Sequence, residues 1–231
     1  VLKILTSDIE NSLKRTIIKE RHHLEVFMKN IVIAFSGKAQ SGKTESSKLL
    51  REIVESTNEL SFNKLSFATK VKEIAQYYFG WNGDKEIYTK TYLDGETKLD
   101  GSLAEAGETE VIQDKGRQLL INIGEKFRAI RPTVWADIVL QQIKDLDLGK
   151  SENVIYCIDD LRFRNEVKSL REYGRVYFIR LNRPSGQLNL DDITEKDLDA
   201  HRFDYYIEND GSVKELRQKL HQIYQDILKR S

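Results

Sequence analysis

One junction near residue 36 constrains this chain more than any other feature. Five apolar residues, Ile31-Val32-Ile33-Ala34-Phe35, run into Gly37-Lys38-Ala39-Gln40-Ser41-Gly42-Lys43-Thr44, and a helical stripe of Leu49, Leu50, Ile53 and Val54 follows. A short continuous apolar run is the pattern of a strand buried on both faces. The loop matches G-x-x-x-x-G-K-[ST] in full, with the strand before it and the helix after it that the motif requires. Gly37 and Gly42 permit a tight path along which successive backbone N–H groups face an anion. A helix starting at Lys43 adds the positive end of its dipole to the same point. The junction therefore predicts that Gly37, Lys38, Ala39, Gln40, Ser41, Gly42, Lys43 and Thr44 bind ATP. Lys43 is expected to reach the β- and γ-phosphates, and the Thr44 hydroxyl to ligate Mg²⁺.

Beyond the junction, β-type runs alternate with amphipathic helical patterns, the mark of a parallel sheet wrapped by helices. Further strands are expected near Lys64–Ala68, at Val154–Asp159, at Val176–Leu181 and at Tyr205–Glu208. The fold class is thus α/β, a three-layer P-loop fold with a five-stranded parallel sheet, helices on both faces and Ile31–Phe35 in the centre. Helical stripes are read at Val71, Ile74, Ala75, Tyr78 and Phe79, and at Val213, Leu216, Leu220, Ile223 and Ile227. Residues 80–116 hold six of the 13 glycines and few apolar anchors, so they are expected to be a loop or mobile insertion. Residues 182–202 are a second candidate for a segment covering substrates. Residues 1–27 precede Met28, the sole methionine, and read as an N-terminal extension to a domain of residues 28–231.

Composition narrows the class of function. The 37 basic and 37 acidic residues cancel, which does not suggest a nucleic-acid polymer as partner. No apolar stretch approaches a membrane span. The single cysteine, Cys157, lies in an apolar run, fits a reducing cytoplasm, and is expected to be a buried strand residue rather than a catalytic thiol. A switch GTPase is disfavoured, because Asn63-Lys64-Leu65-Ser66 lacks the aspartate of N-K-x-D.

The strand expected at Val154–Asp159 ends in Asp159-Asp160-Leu161-Arg162-Phe163-Arg164-Asn165-Glu166. A carboxylate at such a strand end suits the shell of a phosphate-bound metal, and Asp160 is assigned that role with Thr44. Arg162 and Arg164 follow at once and are expected to neutralise charge on the phosphoryl group in transfer.

These residues resemble the P-loop deoxynucleoside monophosphate kinases of tailed phages, relatives of dephospho-CoA kinase and phosphomevalonate kinase. The resemblance covers about 200 residues, from Asn30 to the last helix. It rests on Asp160-Leu161-Arg162-Phe163-Arg164-Asn165-Glu166 for D-x-R-F-x-N-E and on Phe67-Ala68-Thr69-Lys70-Val71-Lys72 for F-A-x-x-x-K. Arg117-Gln118-Leu119-Leu120 with Gly124 and Trp135, and Phe203 through Gly211, complete it. Lys70 stands where the family usually has proline. The resemblance implies a nucleoside monophosphate kinase-like fold, a deoxynucleotide acceptor, host cytoplasm as the location if phage-encoded, and Asn209 near the adenine. It also leaves room for a homodimer.

The chemistry of such a reaction asks for cations rather than a base. A monophosphate has a second pKa near ~6, so at neutral pH it is already a nucleophilic dianion. Two anionic phosphates must be held in line with water excluded. Lys70, Lys72, Arg117 and Arg128 are the candidates for the acceptor, and Trp135 for its base, with a core role for Trp135 as the alternative. Two other functions stay open on the sequence. One is a P-loop kinase for dephospho-CoA or a phosphorylated alcohol; the other is a non-catalytic nucleotide-binding module.

Overall fold

In the computed structural model the described residues are 30–230, apart from 85–86, 99–100, 114, 149–152 and 185–196. The expected extension, 1–27, and most of 182–202 lie outside them. The chain forms two compact units, one comprising residues up to Leu65 and from Val139 on, the other Ser66–Ile138.

The first unit is built on a parallel sheet. Its strands are β1 (Ile31–Ser36), β2 (Ser61–Leu65), β5 (Val154–Leu161), β6 (Val176–Asn182) and β7 (Tyr205–Glu208). They lie in the order β2-β5-β1-β6-β7, every neighbour parallel, so the phosphate-loop strand is central as expected. Every residue of β1 is buried, as a strand covered on both faces must be. Alternation along the strands sorts side chains to the two faces. Ile31, Ile33, Phe35, Ile155, Cys157, Ile179 and Leu181 pack with helices α1 (Lys43–Thr57) and α6 (Val213–Lys229). Tyr156 faces the other way, where its hydroxyl and that of Tyr173 on α5 (Arg164–Tyr173) both donate to Asp147. Asp147 ends α4 (Val134–Asp147), a helix that starts in the second unit.

Helix α6 shows how local chemistry fixes an element. Ser212 caps it, with its hydroxyl accepting from Glu215 N and the Glu215 carboxylate accepting from Ser212 N at 2.6 Å. Its buried stripe is Leu216, Leu220, Tyr224 and Ile227. Val213, expected on that stripe, is the first residue of the helix and is exposed. The second strand also starts earlier than expected, at Ser61 rather than near Lys64.

The second unit holds α2 (Ala68–Phe79), β3 (Ile87–Thr91), β4 (Thr109–Gln113) and α3 (Gly116–Ile130). The stretch 80–116, expected as a loop, contains a two-stranded antiparallel ribbon, β3 against β4 in register from Ile87↔Gln113 to Thr91↔Thr109. Trp81, Tyr92 and Ala104 are buried, three anchors too far apart to show as a periodic pattern. On α2 only Val71 and Ala75 of the expected stripe are buried, whereas Tyr78 and Phe79 are exposed.

Candidate functional site

The loop Gly37–Gly42 joins the carboxyl end of β1 to the amino end of α1, where open parallel sheets present their ligand sites. Gly37 has φ +152° and Gly42 φ +101°, conformations that side chains disfavour. A Cβ on Gly37 would fall 2.6 Å from the Leu181 carbonyl oxygen, and one on Gly42 would strike the Asn209 amide nitrogen. Space as well as torsion therefore demands glycine at both positions.

Helix α1 opens on Gly42, so no side chain caps its first turn. The contrast with the capped α6 is chemical: the leading N–H groups of a helix need acceptors, and an uncapped start presents them to an anion. Inside the loop, Ser41 N donates to Lys38 O at 3.2 Å, and the buried Ser41 Oγ has no partner among the described residues. The Lys43 ammonium donates to Gly37 O at 2.5 Å and to Lys38 O at 2.7 Å, drawing the lysine across the loop it serves.

Asn209, expected beside an adenine, is bound to the loop. Its amide donates to Ser41 O at 2.9 Å, its backbone N–H donates to Asn182 O at 2.7 Å, and its side chain is buried. It braces the loop from the end of β7, a role visible only once β7 is placed beside β6.

The doubled aspartate has its own geometry. In the β1–β5 pairing Ala34 faces Ile158 and Ser36 faces Leu161, so Asp159 and Asp160 together oppose Phe35. Such a bulge breaks the alternation and re-aims the side chains beside a site. Asp159 is buried and accepts from Lys64 Nζ at 2.6 Å. Asp160 is half-buried. Glu166 explains the end of the motif: its Oε2 accepts from Arg162 N at 2.9 Å and Phe163 N at 3.0 Å, fixing the turn that carries Arg162. Arg164 is engaged by Asp197, whose Oδ2 accepts from Arg164 N at 2.7 Å and whose carbonyl accepts from Arg164 Nε at 3.0 Å.

Cys157 is buried, donates to Ser47 Oγ at 3.3 Å, and has its thiol pushed up to about 12 by burial. That excludes a reactive thiolate at neutral pH. His201 packs edge-on against Phe178 and Phe203, and burial, with Arg171 adding to it, lowers its pKa.

The acceptor candidates belong to the second unit. Lys70 pairs with Glu73 on its own helix, and Lys72 is exposed on α2 with no bonding partner among the described residues. Arg117 is exposed at the start of α3. Arg128 folds back over Gly124, where a Cβ would lie 3.4 Å from its guanidinium nitrogens. Trp135 is a core residue: it is buried, donates to Gly124 O at 3.2 Å, and packs against Phe127 with ring centroids 5.4 Å apart. The base-pocket expectation for Trp135 gives way to that packing. A recess of about 600 Å³ along α2 is lined by Glu73, Ile74, Gln76, Tyr77 and Tyr78 and includes none of the motif cations.

Sequence reasoning missed one buried cation of the first unit. Arg180 stands on β6, 9% exposed, inside what reads in the sequence as an uninterrupted strand. Only the register with Ser36 shows that it lies beside the loop.

A central parallel strand, a glycine-shaped loop and an uncapped helix carrying Lys43 and Thr44 make up a P-loop of the kind that binds nucleotide phosphates. Residues 112–220, a little under half of the chain, match the family model of deoxynucleotide monophosphate kinase. That region contains the D-x-R-F-x-N-E turn and lies wholly outside the phosphate loop. Among solved structures, an APS kinase of Mycobacterium tuberculosis is similar at 9% identity, covering 85% of this chain and 99% of its own, with a TM-score of 0.44. A shikimate kinase of Acinetobacter baumannii is similar at 15% identity, covering 90% and 98%, with a TM-score of 0.43. No curated protein sequence matches the chain.

Proposed function

We propose that the chain transfers the γ-phosphoryl group of ATP to a deoxynucleoside monophosphate, giving the diphosphate. The observation that carries this reading is the presence, in one chain, of the Gly37–Thr44 loop and a separate deoxynucleotide monophosphate kinase region. The loop suits a polyphosphate: its glycine positions admit no Cβ, its helix start is uncapped, and it holds a buried hydroxyl without a partner among the described residues. On binding, the Lys43 ammonium exchanges two loop carbonyls for the β- and γ-phosphates. The Thr44 hydroxyl and the Asp160 carboxylate, hard oxygens of the kind Mg²⁺ takes, would hold the ion. When bound, the ion offsets charge on the phosphates during transfer.

Arg162, on the turn held by Glu166, stabilises the transferring group, while Arg117 and Lys72 meet the acceptor phosphate. No general base is required, because the acceptor dianion is itself the nucleophile. The test is ADP release with each deoxy- and ribonucleoside monophosphate in turn, and then with dephospho-CoA. Release that depends on a deoxynucleoside monophosphate supports the reading. Release with dephospho-CoA alone, or with no acceptor, overturns it.

A further inference from the structure

Arg180 occupies a strand position that would ordinarily be apolar, and a buried guanidinium persists only where its donors are taken up. Its partners sit at two different places in the chain. Nη1 donates to Ser36 Oγ at 3.0 Å, and Nη2 donates to Asp199 Oδ1 at 2.5 Å. The ring of Phe203 lies beneath, with its centroid 5.6 Å from Cζ. Ser36 is the last residue of β1, paired in register with Arg180, and immediately precedes Gly37. The next residue of β6, Leu181, is the one whose carbonyl would meet a Cβ on Gly37. Side chain and backbone of this two-residue step thus bear on the two residues where the loop leaves the sheet. The segment that supplies Asp199 also supplies Asp197, which holds Arg164 at the start of α5.

We propose that Arg180 is a positioning residue for the phosphate loop: it holds Ser36, Asp199 holds Arg180, and the stretch from Asp197 to Phe203 thereby orients the loop. The proposal rests on the reading of that loop as the ATP site. An arginine is suited to this task because its planar fork serves two acceptors in fixed directions, which a lysine does not.

The test is calorimetric titration with ATP alone, so that it reads the donor site without the acceptor, together with the KM of the monophosphate. The variants are Ser36→Ala, Arg180→Met, Arg180→Lys, Asp199→Asn and the Ser36→Ala/Arg180→Met double, each first melted to establish that it folds. Arg180→Met is expected to weaken ATP binding by roughly tenfold to a hundredfold, the range for a charge-assisted hydrogen bond. Ser36→Ala should lose less, and the double variant no more than Arg180→Met alone, since both act through one contact. Asp199→Asn should weaken ATP binding, Arg180→Lys should recover part of the loss, and the monophosphate KM should stay within about threefold. Should Arg180→Met not fold, Ser36→Ala and Arg180→Lys carry the same comparison. Unchanged ATP affinity in folded variants, additive losses, or an equal rise in the monophosphate KM would each overturn the proposal. A wild-type chain that binds no ATP defeats the functional reading beneath it instead.

Discussion

The two ends of the central strands are both polar, yet they are built to opposite rules. At the amino end, Asn30, Asp147, Tyr156 and Tyr173 form a closed network. Asp147 accepts from the Asn30 amide at 2.8 Å, from Tyr156 OH, and from Tyr173 OH at 3.1 Å, and Asn30 Oδ1 accepts from Val154 N at 2.9 Å. Burial, reinforced by Asp147, raises the pKa of both tyrosines, so they remain donors throughout the physiological range. At the carboxyl end the helix start is uncapped, Ser41 Oγ and Ser46 Oγ lack partners among the described residues, and Lys43 leans on loop carbonyls. A buried polar group left unsatisfied costs about 1–3 kcal/mol, so the first end returns stability and the second holds capacity in reserve for a ligand. The lesson is that polarity in this core does not by itself mark function.

The largest test of that contrast falls on the carboxyl end. Lys43→Ala should lower kcat by about a thousandfold or more, the scale of losing a donor aimed at transition-state charge. Its melting temperature should hardly move, since the lysine contributes little packing. A variant that keeps near-normal turnover would break the contrast outright.

Asp147→Ala should do the reverse. It strands two phenols and an amide, and the expected loss is about 3 kcal/mol of stability, with a fall of roughly 6–12 °C in Tm. Activity per folded molecule should be retained, measured after correcting for the folded fraction by circular dichroism. A large loss of kcat at full folding would mean that the amino end takes part in function.

Arg117→Ala asks whether the acceptor is served by residues away from the sheet. It should reduce kcat/KM for the monophosphate by roughly tenfold to a hundredfold, and leave ATP affinity nearly unchanged. Equal weakening of ATP would place Arg117 with the donor loop.

The smallest effect concerns Cys157. With its thiol pushed up to about 12 by burial, a negligible fraction is thiolate at pH 8, and an aromatic disulfide reagent should not react until the protein unfolds. Rapid labelling of the native protein would show that this part of the sheet opens readily.

How far this could be read in advance differs from residue to residue. The phosphate loop was legible because its demands are local: two glycines, a lysine and a hydroxyl within eight positions, between a strand and a helix. The strands were legible in outline, since apolar runs mark buried strands, but not their order. The ribbon at β3 and β4 was not, because Trp81, Tyr92 and Ala104 anchor it at spacings with no period. Trp135 read as either core or base platform, with the core slightly favoured, until Gly124 and Phe127 were seen around it. Asn209 lies 168 residues from its partner Ser41, and no local pattern links them.

By itself, then, the sequence determined the chemistry that backbone torsion and residue type settle: a parallel α/β sheet, its central strand, and a loop shaped for a polyphosphate. Tertiary structure alone decided what holds that loop in place. Arg180 reads as one more strand residue until β6 lies against β1, and then its charge falls beside Ser36. Asp159 and Asp160 read as a simple pair until the bulge sets both against Phe35. The physical reason is common to both. Periodicity and propensity act over a few residues, whereas strand register sets Arg180 beside Ser36 and the two aspartates against Phe35 across more than a hundred.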